Sequence, residues 1–184
     1  DYFLEKLKQL SRENGVQIGA YCLMTNHIHL LTYPETEAGM IKCMKLACQH
    51  YTQYVNKKYK RTGKLWENRY KIHWVDPEQE WCLARYIEKN PLRAGMVHRA
   101  EDYPYSSAKR NLWGCRDGLI NREIVSEQRR GGYREFFHKD DFKEKGLIGV
   151  TGIGSTPGIT NVMLRHVKSE FDTIHTVHVG FAWD

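Results

Sequence analysis

The sequence predicts an α+β protein in which helices pack over a central, mainly antiparallel sheet, and three observations lead there. Residues 16–23 and 27–32 are two extended runs rich in apolar and aromatic side chains, joined only by Met24-Thr25-Asn26, the pattern of an antiparallel pair. Met40, Ile41, Met44, Cys48, Tyr51 and Val55 recur at three- and four-residue intervals, so residues 37–58 should form one long amphipathic helix. Residues 65–75 look extended again, and Asp76-Pro77-Glu78-Gln79 then offers an N-cap, a proline at the first helical position and a capping-box glutamine. A helix over 77–90 follows, and Pro91 should stop it.

The remaining elements fit around these. Phe3, Leu4, Leu7 and Leu10 make residues 1–13 helical, and Asn14-Gly15 is a left-handed terminator. Gly95 marks a turn, and Tyr103-Pro104-Tyr105-Ser106-Ser107 leads into a short helix toward Leu112. Between Gly146 and Gly158 the composition shifts to glycine, threonine, serine and proline, after which 159–171 could form a separate helix. The expected organisation is therefore a main domain over 1–145 and a foreign or fused segment over 146–184.

With 184 residues, 41% hydrophobic and 12% aromatic, the chain can bury one core and is not a disordered polyelectrolyte. It has no run of about 18 apolar residues, so no membrane span is expected. Its five cysteines form no C-x-x-C pair, which argues for a reducing, cytoplasmic setting rather than a disulfide framework or zinc ribbon. The net charge is +6, and residues 1–145 carry +7, because the tail sets Arg165 and Lys168 against Glu170, Asp172 and Asp184. Lys57, Lys58, Lys60, Arg61, Lys64, Arg69 and Lys71 crowd one stretch opposed only by Glu67, and Tyr59, Trp66 and Tyr70 are interleaved with them. Cations that neutralise phosphates, beside rings that stack on unpaired bases, suit a single-stranded nucleic acid. A solvated basic loop with Trp66 in the core is the alternative.

Two further patterns carry chemistry. In His27-Ile28-His29 both imidazoles project to one face of a strand and could clamp a cation, although an isolated H-x-H is commonly two satisfied histidines. A histidine-triad hydrolase would need a third histidine where Leu31 stands, and an amidohydrolase barrel needs about 250 residues. Tyr86 and Asn90, four apart on the following helix, present a phenol and an amide oxygen one above the other. A phenol is a poor nucleophile in water, but a nearby cation favours the phenolate and polarises a phosphodiester. Without context, a helical tyrosine is more often a packing residue.

Taken together, four ordered blocks are recognisable. Tyr21-Cys22-Leu23-Met24-Thr25-Asn26-His27-Ile28-His29-Leu30-Leu31 resembles the "alMpNHvHlL" block of HUH single-tyrosine transposases. Gly63-Lys64-Leu65-Trp66-Glu67-Asn68-Arg69-Tyr70 resembles "G-x-LWQ-x-RY", residues 86–97 resemble "Yi-x-x-NPvrAglv", and residues 101–107 resemble "eeYpwSS". The similarity spans about residues 1–140 and is strongest to the REP-associated tyrosine transposases. It implies a ferredoxin-like core, His27 and His29 as the metal-binding pair, Asn90 as the third ligand and Tyr86 as the nucleophile that becomes joined to a 5′ phosphate. It also implies Mg²⁺ or Mn²⁺ as cofactor, single-stranded or hairpin DNA as partner, and a monomer or homodimer. Lys57, Lys58, Lys60, Arg61, Lys64, Trp66, Arg69, Tyr70, Lys71 and Arg93 are the expected DNA-binding set. The family's opening "yHvt-R" strand has no counterpart before the first helix, so the first strand is expected to be missing. Residues 152–162 faintly resemble a saccharopine-dehydrogenase-like segment.

The expected activity is metal-dependent cleavage and rejoining of single-stranded DNA. A domesticated relative that grips structured DNA without cutting it, and a metal-dependent hydrolase of small molecules, are the competing readings.

Overall fold

A computed structural model describes residues 2–67 and 70–139 with their side chains, and residues 174–180 as backbone. The predicted α+β class is what it shows. Phe3, Leu7 and Leu10 line the inner face of helix α1 (Tyr2–Glu13), and Gly15 follows it in the left-handed region at φ 63°. Strands β1 (Val16–Leu23) and β2 (His27–Pro34) pair antiparallel, with Tyr21 opposite Leu30 and Cys22 opposite His29. Helix α2 (Glu37–Tyr59) starts at Thr36, whose Oγ1 accepts from the Gly39 N–H at 3.0 Å. That bond satisfies one of the orphan donors of a first helical turn. Lys60, at φ 51°, closes the helix at its other end.

The register of β1 and β2 shifts between Ile18 and Ala20. A Cβ at Gly19 would stand 2.5 Å from Ile124 Cγ2 and 2.9 Å from the Tyr33 ring, so only glycine fits this irregularity. The alternation of the strands then sorts two cores. Ile18, Ile28 and Leu30 pack with Phe3, Leu7, Met40 and Met44 on the α1–α2 side. Ala20, Cys22, Leu31 and Tyr33 pack on the other side, against α3 (Glu80–Glu88), α5 (Ala108–Trp113) and α6 (Arg130–His138). The sheet is thus covered on both faces.

The extended run expected over 65–75 becomes a strand only at its end, β3 (Lys71–Val75). Leu65 and Trp66 instead pack inward: Leu65 is buried, and the Trp66 indole N–H reaches the Cys48 carbonyl. The helix expected over 77–90 is also subdivided. Asp76 caps a single 3-10 turn at Pro77–Gln79, α3 runs from Glu80 to Glu88, and after Lys89 the short helix α4 (Asn90–Arg93) begins with Pro91 in its first turn. Proline cannot donate to the carbonyl four residues back, so α3 must break here. Asn90 Nδ2 takes up the slack by donating to the Tyr86 and Ile87 carbonyls at 2.8 and 3.3 Å. Pro91 therefore ends one helix and opens the next.

The fourth strand comes from the tail. β4 (Ile174–Gly180) pairs antiparallel with both β2 and β3, giving the sheet order β1-β2-β4-β3. This puts the histidine strand in the interior of the sheet, with His27 opposite Gly180 and His29 opposite His178. The strand order is that of a ferredoxin-like sheet in which the last strand of the chain occupies the place of the first. Residues 174–180, within the segment expected to be foreign or fused, thus contribute a strand to the sheet. The glycine-rich boundary at 146–158 and the helix expected over 159–171 lie outside the described residues.

Because β4 is an inner strand, proline is poorly tolerated in it. The substitution Val177→Pro removes a ladder donor and is expected to destabilise the fold by about 2–3 kcal/mol, the upper range of ordinary single substitutions. Urea unfolding followed by circular dichroism measures this, and an unchanged midpoint would mean that β4 does not pair with the sheet.

Candidate functional site

The α3 side of the sheet gathers the chemistry. Period-two geometry sends His27 and His29 to the same face of β2 as Leu31 and Tyr33, while Ile28 points into the α1–α2 core. The two imidazole centroids are 4.6 Å apart at an interplanar angle of 90°. His29 is only 2% exposed, and His27 is half-buried. Burial lowers the His27 pKa and favours the neutral, coordinating form. Its Nδ1 lies 2.7 Å from Asn26 Oδ1, an acceptor that directs the ring proton to Nδ1 and leaves Nε2 to accept.

Helix α3 delivers Tyr86 to this face. Its ring stands edge-on to His29 with centroids 5.9 Å apart, and the Arg93 guanidinium carbon lies 5.1 Å from the Tyr86 ring centroid. The break at Pro91 makes this possible, because α4 turns back and carries Arg93 over the phenol. Asn90 stands at the same turn. Its Nδ2 holds two helix carbonyls, which leaves Oδ1 as the atom a cation would use. Four of the predicted residues, His27, His29, Tyr86 and Arg93, are therefore brought together by β2, α3 and α4, and Asn90 stands at the turn between the two helices.

Among the described residues no three His, Cys, Asp or Glu side chains converge on a metal position. Two imidazoles with an amide oxygen would make a mixed nitrogen–oxygen donor set, which suits Mn²⁺ or Mg²⁺ rather than a thiolate-seeking ion.

The basic set is placed elsewhere. Lys57, Lys58 and Lys60 are exposed at the end of α2, Lys64 is exposed in the following loop, and Lys71 is exposed at the start of β3. Arg61 is half-buried, and Arg69 lies outside the described residues. Trp66 and Tyr70, expected as stacking platforms, are half-buried. Trp66 donates its N–H to the Cys48 carbonyl at 2.9 Å, lies 6.1 and 6.0 Å from the Phe3 and Tyr51 rings, and packs with Tyr70 against the α1–α2 core. Tyr59 is the ring left open, 65% exposed with Lys58 Nζ 5.4 Å above it.

Sequence reasoning missed two features. Asn26 was read only as part of a turn, although a side-chain acceptor directly before a candidate ligand is a local signal. Glu88 is fully buried, and its carboxylate accepts from Ser107, Asn111 and Tyr133. Desolvation pushes its pKa up to about 7, with these three bonds opposing the rise.

An α+β core, its sheet covered on both faces, that sets a histidine pair against a helical tyrosine defines a class, and comparison with known proteins agrees with it. The model of the family "Transposase IS200 like" matches residues 1–90 of the chain. A putative REP-associated tyrosine transposase of Haemophilus influenzae is 27% identical to the chain over 124 residues, covering 60% of this chain and 69% of the relative. No solved structure matches the chain. No helix among the described residues is long and apolar enough to cross a membrane.

Proposed function

We propose that this transposase-family chain cleaves and rejoins single-stranded DNA, presented as a hairpin, through a covalent phosphotyrosine at Tyr86. The observation that carries the reading is the convergence of His27, His29, Tyr86 and Arg93 on one face of the sheet. Tyr86 Oη attacks the scissile phosphorus, forming an O–P bond to the 5′ phosphate as the bond to the 3′ oxygen breaks. The phenolic proton passes to solvent, and the leaving oxygen becomes a 3′ hydroxyl. Attack by a 3′ hydroxyl on the same phosphorus reverses the sequence and reseals the strand without ATP, because the phosphodiester energy is kept in the tyrosyl ester.

Arg93 brings fixed positive charge beside the phenol, where it can stabilise the charge of the in-line transition state. Burial keeps the His27 imidazole neutral, and Asn26 orients it. With Oδ1 of Asn90, the His27 and His29 ring nitrogens would hold a divalent cation, Mg²⁺ or Mn²⁺, whose bound charge neutralises the scissile phosphate. The exposed lysines from Lys57 to Lys71 track the DNA backbone, and Tyr59 offers the ring for an unpaired base.

The test is to incubate the chain with a labelled hairpin library and Mn²⁺. A shifted species that survives boiling in detergent and disappears with EDTA is expected. Binding without any such species would favour a DNA-gripping protein that does not cut.

A further inference from the structure

We infer that Glu88 is a positioning residue: by tying the far side of α3 to β1, it sets Tyr86 at its distance from the histidine strand. The inference rests on the reading of Tyr86 as nucleophile and concerns what holds it in place. Tyr86 and Glu88 are two residues apart, so their side chains leave the helix about 200° from one another. Tyr86 turns to His29, and Glu88 turns into the protein, where it is 0% exposed.

Two of the three contacts of this carboxylate lead back to the sheet that carries the site. Oε1 accepts from Ser107 Oγ at 2.6 Å, and the same Ser107 Oγ accepts from the Tyr21 N–H at 2.9 Å. The Ser107 N–H in turn donates to the Tyr21 carbonyl at 3.0 Å. Tyr21 pairs with Leu30, next to His29, and Cys22 pairs with His29 itself. A chain of four links therefore runs from the nucleophile's helix through Glu88, Ser107 and β1 to the histidine strand. A second route runs through Asn111, which donates to Glu88 Oε1 at 2.6 Å and to the Gly19 carbonyl of β1 at 3.2 Å. A third ties Oε2 to the Tyr133 hydroxyl of α6 at 2.9 Å.

Apolar packing alone would hold α3 on the sheet without fixing its rotation or its slide. A buried carboxylate is different, because its desolvation is offset only when its donors are met in good geometry. Three donors from two segments, the first turns of α5 and the helix α6, over-determine where the last turn of α3 sits. A displacement of about 1 Å at that turn moves Tyr86 out of line with its target, and misplacement on that scale costs about a hundredfold in rate.

The test compares E88Q, E88L and S107A with the parent in two assays. One measures single-turnover adduct formation on a labelled hairpin beside equilibrium binding of the same hairpin. The other records the His29 Hε1 resonance in histidine-labelled protein, which the edge-on Tyr86 ring shifts. Glutamine can still accept from Ser107 and Asn111 and can donate to the Tyr133 oxygen, so E88Q should keep the adduct rate within about threefold. E88L and S107A should lose about a hundredfold in adduct rate with DNA affinity held within about twofold, and the His29 resonance should move. S107A removes only the hydroxyl that joins Glu88 to the Tyr21 N–H, leaves the Asn111 route in place, and decides the matter if E88L fails to fold. Parent-like rates and an unmoved His29 resonance in folded E88L or S107A would overturn the inference, as would a fall in affinity parallel to the rate. If the parent forms no adduct, the reading of Tyr86 fails, and the resonance still reports whether Glu88 fixes its ring.

Discussion

Replacing Tyr86 with phenylalanine is expected to abolish the covalent DNA adduct, by at least about 10⁴-fold, while hairpin affinity stays within about twofold of the parent. The ring survives the change, and with it the edge contact to His29 and the surface over which Arg93 lies. What is lost is the one oxygen that can attack the phosphorus. Gel analysis of boiled reactions reads the adduct, and fluorescence anisotropy reads the affinity. An adduct formed at the parental rate by the phenylalanine variant would assign the nucleophile to another residue. A joint loss of adduct and affinity would instead make Tyr86 a packing residue.

The paired substitution of His27 and His29 with alanine carries the second large effect. Both rings stand on one face, 4.6 Å apart, and removing them takes away both nitrogen donors of the proposed cation site. Adduct formation in Mn²⁺ should fall by at least about 10²–10³-fold, the scale of losing several kcal/mol of charge stabilisation at the phosphate. Mn²⁺ titration by calorimetry should lose its heat in the same variant. Because Tyr86 and Arg93 remain, hairpin binding should be largely kept. Undiminished adduct in the double variant with EDTA present would remove the cation from the chemistry.

Much of this arrangement was legible in the sequence, for reasons that differ by element. The histidine strand declared itself because period two is a local property: His27 and His29 must share a face, and Ile28 must take the other. Helix α2 was equally plain, since its apolar residues repeat at three and four from Met40 to Val55. Tyr86 and Asn90 were found together, but the turn between them was not. Pro91 was read only as a stop, whereas the short α4 that it opens is what returns Arg93 to the phenol. How far Trp66 and Tyr70 pack against the α1–α2 core was not legible, because a charged neighbourhood does not reveal which way a ring points. Glu88 and Ser107 are 19 residues apart, and Ser107 meets Tyr21 across 86. No periodicity encodes such contacts. The same holds for β4, whose partners lie more than 90 residues away in the chain.

The most direct measurement is to find which atom of the protein carries the DNA. The adduct formed on a hairpin in Mn²⁺ is digested with nuclease and trypsin, and the modified peptide is sequenced by mass spectrometry. The account predicts a single nucleotide joined through its 5′ phosphate to Tyr86, in the peptide that ends at Lys89, with a free 3′ hydroxyl on the other strand end that a polymerase extends. A phosphate on Tyr51, Tyr70 or any other residue, or a linkage through a 3′ phosphate, would contradict it.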